Sequence, residues 1–340
     1  MSGASTDSSE TPRDALIRAI QAGVPLASTP FGQLGADLGI EEARVIEELA
    51  DLEREGVLRE ISAVLEGSAL GYESALVAAE VAEPELDRVV EVINAHPTVT
   101  HNYLRSHRFN LWFTVAVPPS MGIDATLAAL ARSSGVRRFH PLRRTQTFKI
   151  GVNFDPKTRK NATSTVFGSE VARIEISESD QRCFRALQTP LPITARPFDL
   201  LAENVGVEVD DLLAFAHRHL GGAIRRYVGT LRHRKLGVRA NGMAVWQVPE
   251  SDIETVGRQL AEAPEVSHCY ARNVVQGFPY SVYSMIHGPD ETTCRKLAQE
   301  LSERTGVDDY AVLFSTREFK KTRLRYFLPE LDEWWSAHGG

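Results

Sequence analysis

The segment HPTVTHNYLR, residues 96–105, is repeated in the chain as APEVSHCYAR, residues 263–272, at an offset of 167. An internal repeat that extends well beyond one short motif indicates two copies of one folding unit. Two further pairs of segments support this interpretation. They are PLASTPFGQLGADLGIEEARVIEEL (25–49) with PITARPFDLLAENVGVEVDDLLAFA (192–216), and, after small insertions, TFKI (147–150) with EFKK (318–321).

Each copy consists of a helical part followed by a part in which strands and helices alternate. The helical part predicts a helix-turn-helix followed by a small strand or wing. The second part has a strand at 73–82, a helix at 84–96, two strands within 97–118, a helix at 124–135 and a strand at 144–154. This βαββαβ order is the ferredoxin-like pattern. We therefore predict an α+β fold, a tandem repeat of helix-turn-helix plus ferredoxin-like domain arranged as a pseudo-two-fold pair.

The predicted domain boundaries follow from these patterns and from a mostly polar stretch between the copies. A chain of 340 residues is long enough for two or more domains. The segments are a disordered N-terminus (1–12), a first helix-turn-helix (13–65), a first ferredoxin-like domain (66–154), a linker (155–178), a second helix-turn-helix (179–232), a second ferredoxin-like domain (233–328) and a C-terminal tail (329–340).

The composition is that of an ordinary globular protein. No apolar run reaches the roughly 18 residues of a membrane-spanning helix, and the N-terminus is polar and acidic. We therefore expect a cytoplasmic protein with no membrane partner.

The three cysteines show neither a CxxC pair nor a zinc-like spacing, which predicts unpaired core thiols. A net charge of −7 argues against non-specific binding of nucleic acid.

The second helix of the helix-turn-helix, which would enter the major groove of DNA, is acidic. Residues 41–55 contain seven acidic and two basic residues, and the second copy sets Glu208, Asp210 and Asp211 against Arg218. Binding to DNA requires cations that replace condensed counterions. We therefore predict that the helical parts serve packing and that DNA is not a partner.

Four polar residues precede an apolar strand at a strict spacing of two, namely His101, Tyr103, Arg105 and His107. Residues two apart share one face of an extended strand, so we expect these side chains to line one face of a sheet.

Many further basic residues are interleaved with aromatic residues along the chain. The planar guanidinium group of arginine, together with aromatic side chains, suits a flat polyanion such as a nucleotide, a nucleic acid or a carboxylated tetrapyrrole. The basic residues in question are Arg137, Arg138, Arg143, Arg144, Lys149, Arg225, Arg226, Arg232, Arg234, Lys235, Lys320, Lys321, Arg323 and Arg325.

The domain order resembles the Lrp/AsnC family of amino-acid-responsive transcription regulators. Longer strings are similar to siroheme decarboxylases, and in particular to the fused NirD–NirL type, over about residues 13–328. These strings are HNYLRSHRFNLWFT (101–114), RRTQTFKIGVNFD (143–155), GFPYSVYSMIHGP (277–289) and STREFKKTR (315–323).

This resemblance implies an enzyme, a carboxy-lyase that removes CO₂ from the C12 and C18 acetate side chains of siroheme. The product would be 12,18-didecarboxysiroheme, in haem d1 biosynthesis. Siroheme would be the substrate and no cofactor would be required, while other decarboxylase subunits or haem d1 pathway enzymes would be possible partners. Two alternatives stay open: an Lrp/AsnC-like transcription regulator that senses haem or an amino acid, and a non-catalytic tetrapyrrole carrier.

The resemblance also suggests roles for individual residues. Loss of CO₂ from a pyrrole acetate calls for positioned acids, and histidine supplies these near neutral pH. We expect His101, His107, Tyr103 and Arg105 to be catalytic, with no intrinsic metal. The sequence does not separate the acid role of His101 from axial ligation of the substrate iron. The expected substrate-binding residues are Arg59, Asn110, Trp112, Arg143, Arg144, Lys149, His268, Tyr270 and Arg272.

The two copies are expected to be unequal. The second copy retains a histidine, a tyrosine and an arginine at positions 268, 270 and 272, but it has no histidine where His107 stands in the first copy. We therefore expect the main active site in the first copy, with the second copy supplying a wall or a weaker site. Arg59 and Arg225 align between the copies, which suggests a shared role.

Overall fold

The structure, a computed structural model, describes residues 11–154, 161–164, 172–232 and 240–339, with residues 151–154 and 161–164 described by their backbone. Most of the predicted linker (155–178) and the predicted boundary at 233 lie outside the described residues. In chain order the elements are α1 Pro12–Ala22, α2 Pro30–Leu38, α3 Glu42–Arg54, β1 Leu58–Leu65, β2 Glu73–Ala79, α4 Leu86–Ala95, β3 His101–Arg105, β4 Leu111–Val117, α5 Ile123–Ser134, β5 His140–Phe154, β6 Asn161–Ser164, α6 Glu178–Gln188, α7 Pro197–Val205, α8 Val209–His219, β7 Ile224–Leu231, β8 Ala240–Trp246, α9 Ile253–Glu262, β9 Val266–Arg272, β10 Val282–Gly288, α10 Glu291–Thr305, β11 Tyr310–Lys321 and α11 Pro329–His338.

The chain forms two compact units, each of which combines matching parts of both repeats. The first comprises Met1–Glu66 and Ile176–Lys235, and the second comprises Gly67–Glu175 and Leu236–Gly340. The predicted tandem repeat and α+β class are confirmed, because helices α1 to α3 correspond to α6 to α8 and the βαββαβ order occurs twice.

The helical unit shows how local sequence sets the ends of its helices. Helices α2 and α7 each begin with a proline, Pro30 and Pro197, whose fixed φ and missing N–H suit the first turn. Each ends at a glycine in the left-handed conformation, Gly39 and Gly206. The predicted wings are strands β1 and β7, which pair antiparallel and thereby join the two helix-turn-helix parts.

The second unit is a closed ring of eight strands. The strand order is β2-β4-β3-β11-β8-β10-β9-β5, and β5 pairs back to β2, while β6 extends β5 at the outer edge. Strand β5 pairs with β2 through Arg143 and then with β9 from Arg144 onward. Strand β11 passes in the same way from β8 to β3 at Ser315. Each repeat therefore contributes its last strand to the sheet of the other repeat.

Helices cover the outer face of this ring. Phe148, Trp246 and Leu260 belong to the core between the second repeat's strands and its helices α9 and α10. The segment expected to be a C-terminal tail contains helix α11, whose Trp334 ring centroid lies 4.2 Å from that of the buried His96. None of the helices in the described ranges combines the length and the apolar character needed to cross a bilayer.

Candidate active site

A cavity of about 450 Å³ lies inside the second unit, and all eight strands of the ring contribute to its lining. Trp112, Met243 and Tyr283 line it and also belong to an apolar cluster on the inner face of the ring. The volume is within the range of small-molecule sites, which is roughly 300–1,000 Å³. The cavity therefore combines an apolar wall with polar and charged side chains that also line it.

The first set of polar residues lies on β3, where His101, Tyr103 and Arg105 all line the cavity, as their spacing predicts. The Arg105 side chain is buried, and its Nη1 donates to the carbonyl oxygen of Leu313 at 2.8 Å. Its guanidinium carbon lies 5.5 Å from the Tyr103 ring centroid. Burial lowers the pKa of Arg105 to about 10, so that it stays protonated at neutral pH. Its Nε has no hydrogen-bond partner among the described residues.

The second set, on β9, reproduces this arrangement with His268, Tyr270 and Arg272. Arg272 Nη1 donates to the carbonyl oxygen of Leu142 at 2.8 Å, and its guanidinium carbon lies 5.4 Å from the Tyr270 ring centroid. Burial lowers the pKa of Arg272 as well. The two sets, which we call the His–Tyr–Arg triads, thus face one cavity.

A hydroxyl group holds the imidazole of each triad. Thr100 Oγ1 lies 3.0 Å from His101 Nδ1, and Ser267 Oγ lies 2.9 Å from His268 Nδ1. Burial, with the nearby His287 as the next cause, lowers the pKa of His268 to about 4. His268 is therefore neutral at neutral pH.

The expectation that His107 shares the face of the first triad is wrong. Strand β3 ends at Arg105, and the chain turns there because Arg105 N–H donates to the Asn110 carbonyl at 2.8 Å and His107 N–H to the Arg105 carbonyl at 2.9 Å. His107 Nδ1 accepts from the Phe109 N–H at 3.0 Å, and its ring lies edge-on to Phe278. His107 therefore lies in a turn and does not line the cavity.

Two of the expected binding residues on other strands do line the cavity. Trp112 forms part of the wall, and its Nε1 donates to the Phe109 carbonyl at 2.6 Å. Arg144 also lines the cavity, with its guanidinium carbon 5.9 Å from the Tyr270 ring centroid.

Four other expected binding residues lie elsewhere. Asn110 bridges the backbone of Val81, accepting at 2.9 Å and donating at 2.8 Å, and so fixes a loop. Arg143 forms an exposed ion pair of 2.7 Å with Asp124. Arg59 is an exposed residue of β1, in the helical unit.

Lys149 is the fourth, and it faces the helices. Its side chain is 2% exposed, and its Nζ donates to the Ala263 carbonyl at 2.7 Å, at the C-terminus of α9. Lys320 makes the corresponding bond at the end of α4, to the Asn94 carbonyl at 2.7 Å. The two lysines are therefore helix C-terminal partners rather than part of the cavity wall.

Lys321 and His287 also line the cavity, although sequence reasoning named Lys321 only among the basic residues that suit a polyanion and gave His287 no role. Lys321 lies opposite His101 in the register of β11 and β3, whereas Ile150 occupies the matching place opposite His268. The difference between TFKI and EFKK was the available signal. His287, at the end of β10, has no histidine at the corresponding place in the first copy, and its Nε2 lies 2.5 Å from Ser267 Oγ.

Fold and site together define a tandem ligand-binding protein whose interior cavity suits a flat, partly apolar polyanion held by guanidinium groups. Within the described residues, no cluster of three or more His, Cys, Asp or Glu side chains is arranged to hold a metal ion. The chain matches an AsnC-like ligand binding domain at residues 69–149 and 235–320, and a siroheme decarboxylase NirDL-like HTH domain at 13–59 and 180–224. The chain belongs to the siroheme decarboxylase family.

Individual relatives are similar to this chain over most of its length. A siroheme decarboxylase from Hydrogenobacter thermophilus is 36% identical over 94% of this chain and 96% of its own length. A siroheme decarboxylase NirDL subunit from Paracoccus pantotrophus is 31% identical over 90% and 94%. A crystal structure of the siroheme decarboxylase NirDL in complex with an iron-uroporphyrin III analogue superposes with a TM-score of 0.80 at 32% identity, covering 96% of this chain and 98% of that one.

Proposed function

We propose that the protein removes CO₂ from the acetate side chains on C12 and C18 of siroheme and releases 12,18-didecarboxysiroheme for haem d1 biosynthesis. The observation that carries this proposal is the pair of His–Tyr–Arg triads on one cavity, since two acetates of the substrate, those on C12 and C18, would lose CO₂. The relative crystallised with an iron-uroporphyrin III analogue supports an iron tetrapyrrole as the ligand.

Each triad contains the groups that this reaction needs. Arg105 and Arg272 hold carboxylates of the substrate as charged hydrogen-bond donors, and Tyr103 and Tyr270 keep the guanidinium planes in place through cation–π contact. The low-dielectric surroundings strengthen these contacts, because water is excluded from the buried guanidinium groups.

The chemical step breaks the bond between the acetate methylene and its carboxylate carbon. CO₂ leaves, and the electron pair stays on the methylene carbon and is delocalised into the pyrrole ring. An imidazole, of His101 or of His268, then donates a proton that forms the new C–H bond of the methyl group. The exchange of CO₂ for a proton conserves oxidation state, so the reaction needs no redox cofactor. For His101 we keep axial ligation of the substrate iron as an alternative role.

The fused chain supplies both repeats that surround the cavity. A siroheme decarboxylase beta subunit from Methanosarcina barkeri matches 44% of this chain over 99% of its own length, at 39% identity. We infer that the single polypeptide provides what relatives divide between separate subunits, and that other subunits are not required for activity.

We further propose that the helix-turn-helix parts do not bind DNA. On the acidic helix α3, Arg44 forms ion pairs with Glu47 and Glu48, and Arg54 forms one of 2.7 Å with Asp51. Cations that are engaged with neighbouring carboxylates are poor substitutes for the counterions of DNA. These ion pairs argue against the transcription-regulator alternative.

Anaerobic incubation with siroheme, followed by mass analysis of the tetrapyrrole, tests the function. We expect successive loss of two CO₂ molecules per siroheme. The Arg105→Gln and Arg272→Gln variants should bind siroheme about ten- to a hundredfold more weakly, the effect of losing one hydrogen bond to a charged group. Arg88→Gln, which removes an exposed α4 guanidinium paired with Glu85, is the control. Tight binding of siroheme by the wild-type protein without release of CO₂ would identify a carrier instead.

A further inference from the structure

A chain of three polar side chains extends from the second triad toward the end of β10. His287 Nε2 lies 2.5 Å from Ser267 Oγ, and the same Oγ lies 2.9 Å from His268 Nδ1. All three residues line the cavity, and His287 is partly exposed. One hydroxyl therefore connects two imidazoles, and both distances are those of hydrogen bonds.

The first triad has a different second contact at the same place. Thr100 Oγ1 contacts His101 Nδ1 at 3.0 Å, as Ser267 contacts His268, but its other contact is the Thr114 hydroxyl at 3.0 Å. A threonine hydroxyl does not titrate near neutral pH, whereas an imidazole does. The second contact of the linking hydroxyl is thus an imidazole in the second half of the cavity and a threonine hydroxyl in the first half.

We propose that His287, Ser267 and His268 form a proton relay that serves the second half of the cavity, a role that rests on the function proposed above. His287 Nε2–H donates to Ser267 Oγ, and the Ser267 hydroxyl donates to His268 Nδ1. As His268 gives its Nε2 proton to the methylene carbon left by CO₂, the Ser267 proton moves to Nδ1, and His287, which starts as the imidazolium, passes its Nε2 proton to Ser267. His287 is left as a neutral imidazole with its proton on Nδ1 and is then reprotonated at Nε2 from water.

The burial of His268 explains why a relay is needed there. Burial first, then the charges of His287 and Lys149, lower the pKa of His268 to about 4, so the ring carries a single proton at neutral pH. A neutral imidazole that loses this proton would become an anion, and an unpaired charge in a buried site is strongly destabilised. Delivery of a second proton to Nδ1 during the transfer avoids that state. His287 is thus a positioning and proton-supplying residue that acts through His268.

Single substitutions of Ser267 and His287 in the full-length chain test the relay. Ser267→Ala removes the hydroxyl, whereas Ser267→Thr keeps it and gives the second half the residue that the first half has at Thr100. His287→Gln keeps a donor of similar size but cannot be protonated. We expect kcat for CO₂ release to fall at least about tenfold in Ser267→Ala and His287→Gln, with KM changed less than about twofold. Ser267→Thr should restore kcat to within about threefold of wild type.

A spectroscopic measurement on the unliganded protein separates this proposal from the function itself. With ¹⁵N-labelled histidine, Ser267→Ala should shift the His268 Nδ1 resonance and Ser267→Thr should not. An unchanged resonance in Ser267→Ala would overturn the relay whatever the reaction proves to be, and so would equal kcat in Ser267→Ala and wild type. If the wild-type protein released no CO₂, the proposed function would fail, and the catalytic role of the relay with it, while the Nδ1 shift would still report the hydrogen bond.

Discussion

Single charged residues distinguish the two halves of the cavity, and Lys321 is the clearest case. It stands opposite His101, where the second half has Ile150 opposite His268. We expect an ammonium group at this place to contact a carboxylate of the substrate on the first-repeat side of the cavity. A tetrapyrrole with unequally distributed acid side chains would therefore bind in a preferred orientation.

Replacing Lys321 should weaken substrate binding without affecting the fold. We expect Lys321→Met to raise KM for siroheme about three- to tenfold, because one hydrogen bond from a charged but exposed donor is lost. Lys296→Met, on the exposed face of α10 where the lysine pairs with Glu300, should leave KM at the wild-type value. Steady-state kinetics of CO₂ release provide the measurement. Equal KM values in the two variants would show that Lys321 does not contact the substrate.

The buried His96 should make the second unit sensitive to acid. Burial lowers the pKa of His96 from 6.5 to about 3. Between these values the unfolded chain binds a proton that the folded chain does not, so the free energy of unfolding falls as the pH drops below about 6.5. The slope approaches about 1.4 kcal/mol per pH unit.

We expect His96→Asn to reduce this loss, because the amide can still accept from the Thr98 N–H but does not titrate. Urea unfolding at pH 7 and pH 5 measures the effect. The wild-type protein should lose about 2 kcal/mol more than the variant over this interval. The same loss in both proteins would show that other groups cause the acid sensitivity.

At the scale of the element, a comparison of strands β3 and β5 shows why the facing of some side chains could be predicted from the sequence and that of others could not. The period of two correctly placed His101, Tyr103 and Arg105 on one face, because β3 is regular as far as Arg105. Strand β5 has register shifts between Arg144 and Gln146 and again between Thr147 and Lys149. Each such bulge reverses the alternation of faces until the next bulge, and no local sequence signal marks them here.

His107 and His287 also could not be placed from the sequence, because their positions depend on contacts that the spacing of residues does not show. The end of β3 depends on hydrogen bonds between Arg105, His107 and Asn110 in a turn, so His107 could not be separated from the strand by spacing alone. His287 is brought to the triad by the pairing of β10 with β9, which joins residues distant in sequence. The βαββαβ order, in contrast, rests on local periodicity and was predictable.

Lys149 and Lys320 donate to carbonyl oxygens at the C-termini of helices α9 and α4, and this structural role can be tested. We expect Lys149→Met to lower the free energy of unfolding by about 1–2 kcal/mol, since the Ala263 carbonyl loses a charged donor at a helix C-terminus. Siroheme affinity should not change, because the side chain faces away from the cavity. Urea unfolding and a tetrapyrrole titration measure the two quantities. Lys321→Met is expected to show the opposite pattern.

At the scale of the whole molecule, the exchange of last strands makes the two ferredoxin-like repeats one structural unit. Strand β5 completes the sheet of the second repeat and β11 completes that of the first, so neither sheet is closed without the other. The cavity and both triads exist only in the assembled ring. We infer that the repeats unfold together rather than independently.

The tryptophans give a direct measurement of this coupling, because all four (Trp112, Trp246, Trp334 and Trp335) lie in the second unit. Trp112 is buried in the first repeat and Trp246 in the second. With 5-fluorotryptophan incorporated and the ¹⁹F resonances assigned by single Trp→Phe variants, we expect both native signals to vanish at the same urea concentration. Two separate midpoints would contradict a single cooperative unit. If the ring unfolds as one, an iron tetrapyrrole bound in the cavity should raise both midpoints by the same amount, since ligand binding stabilises only the assembled state.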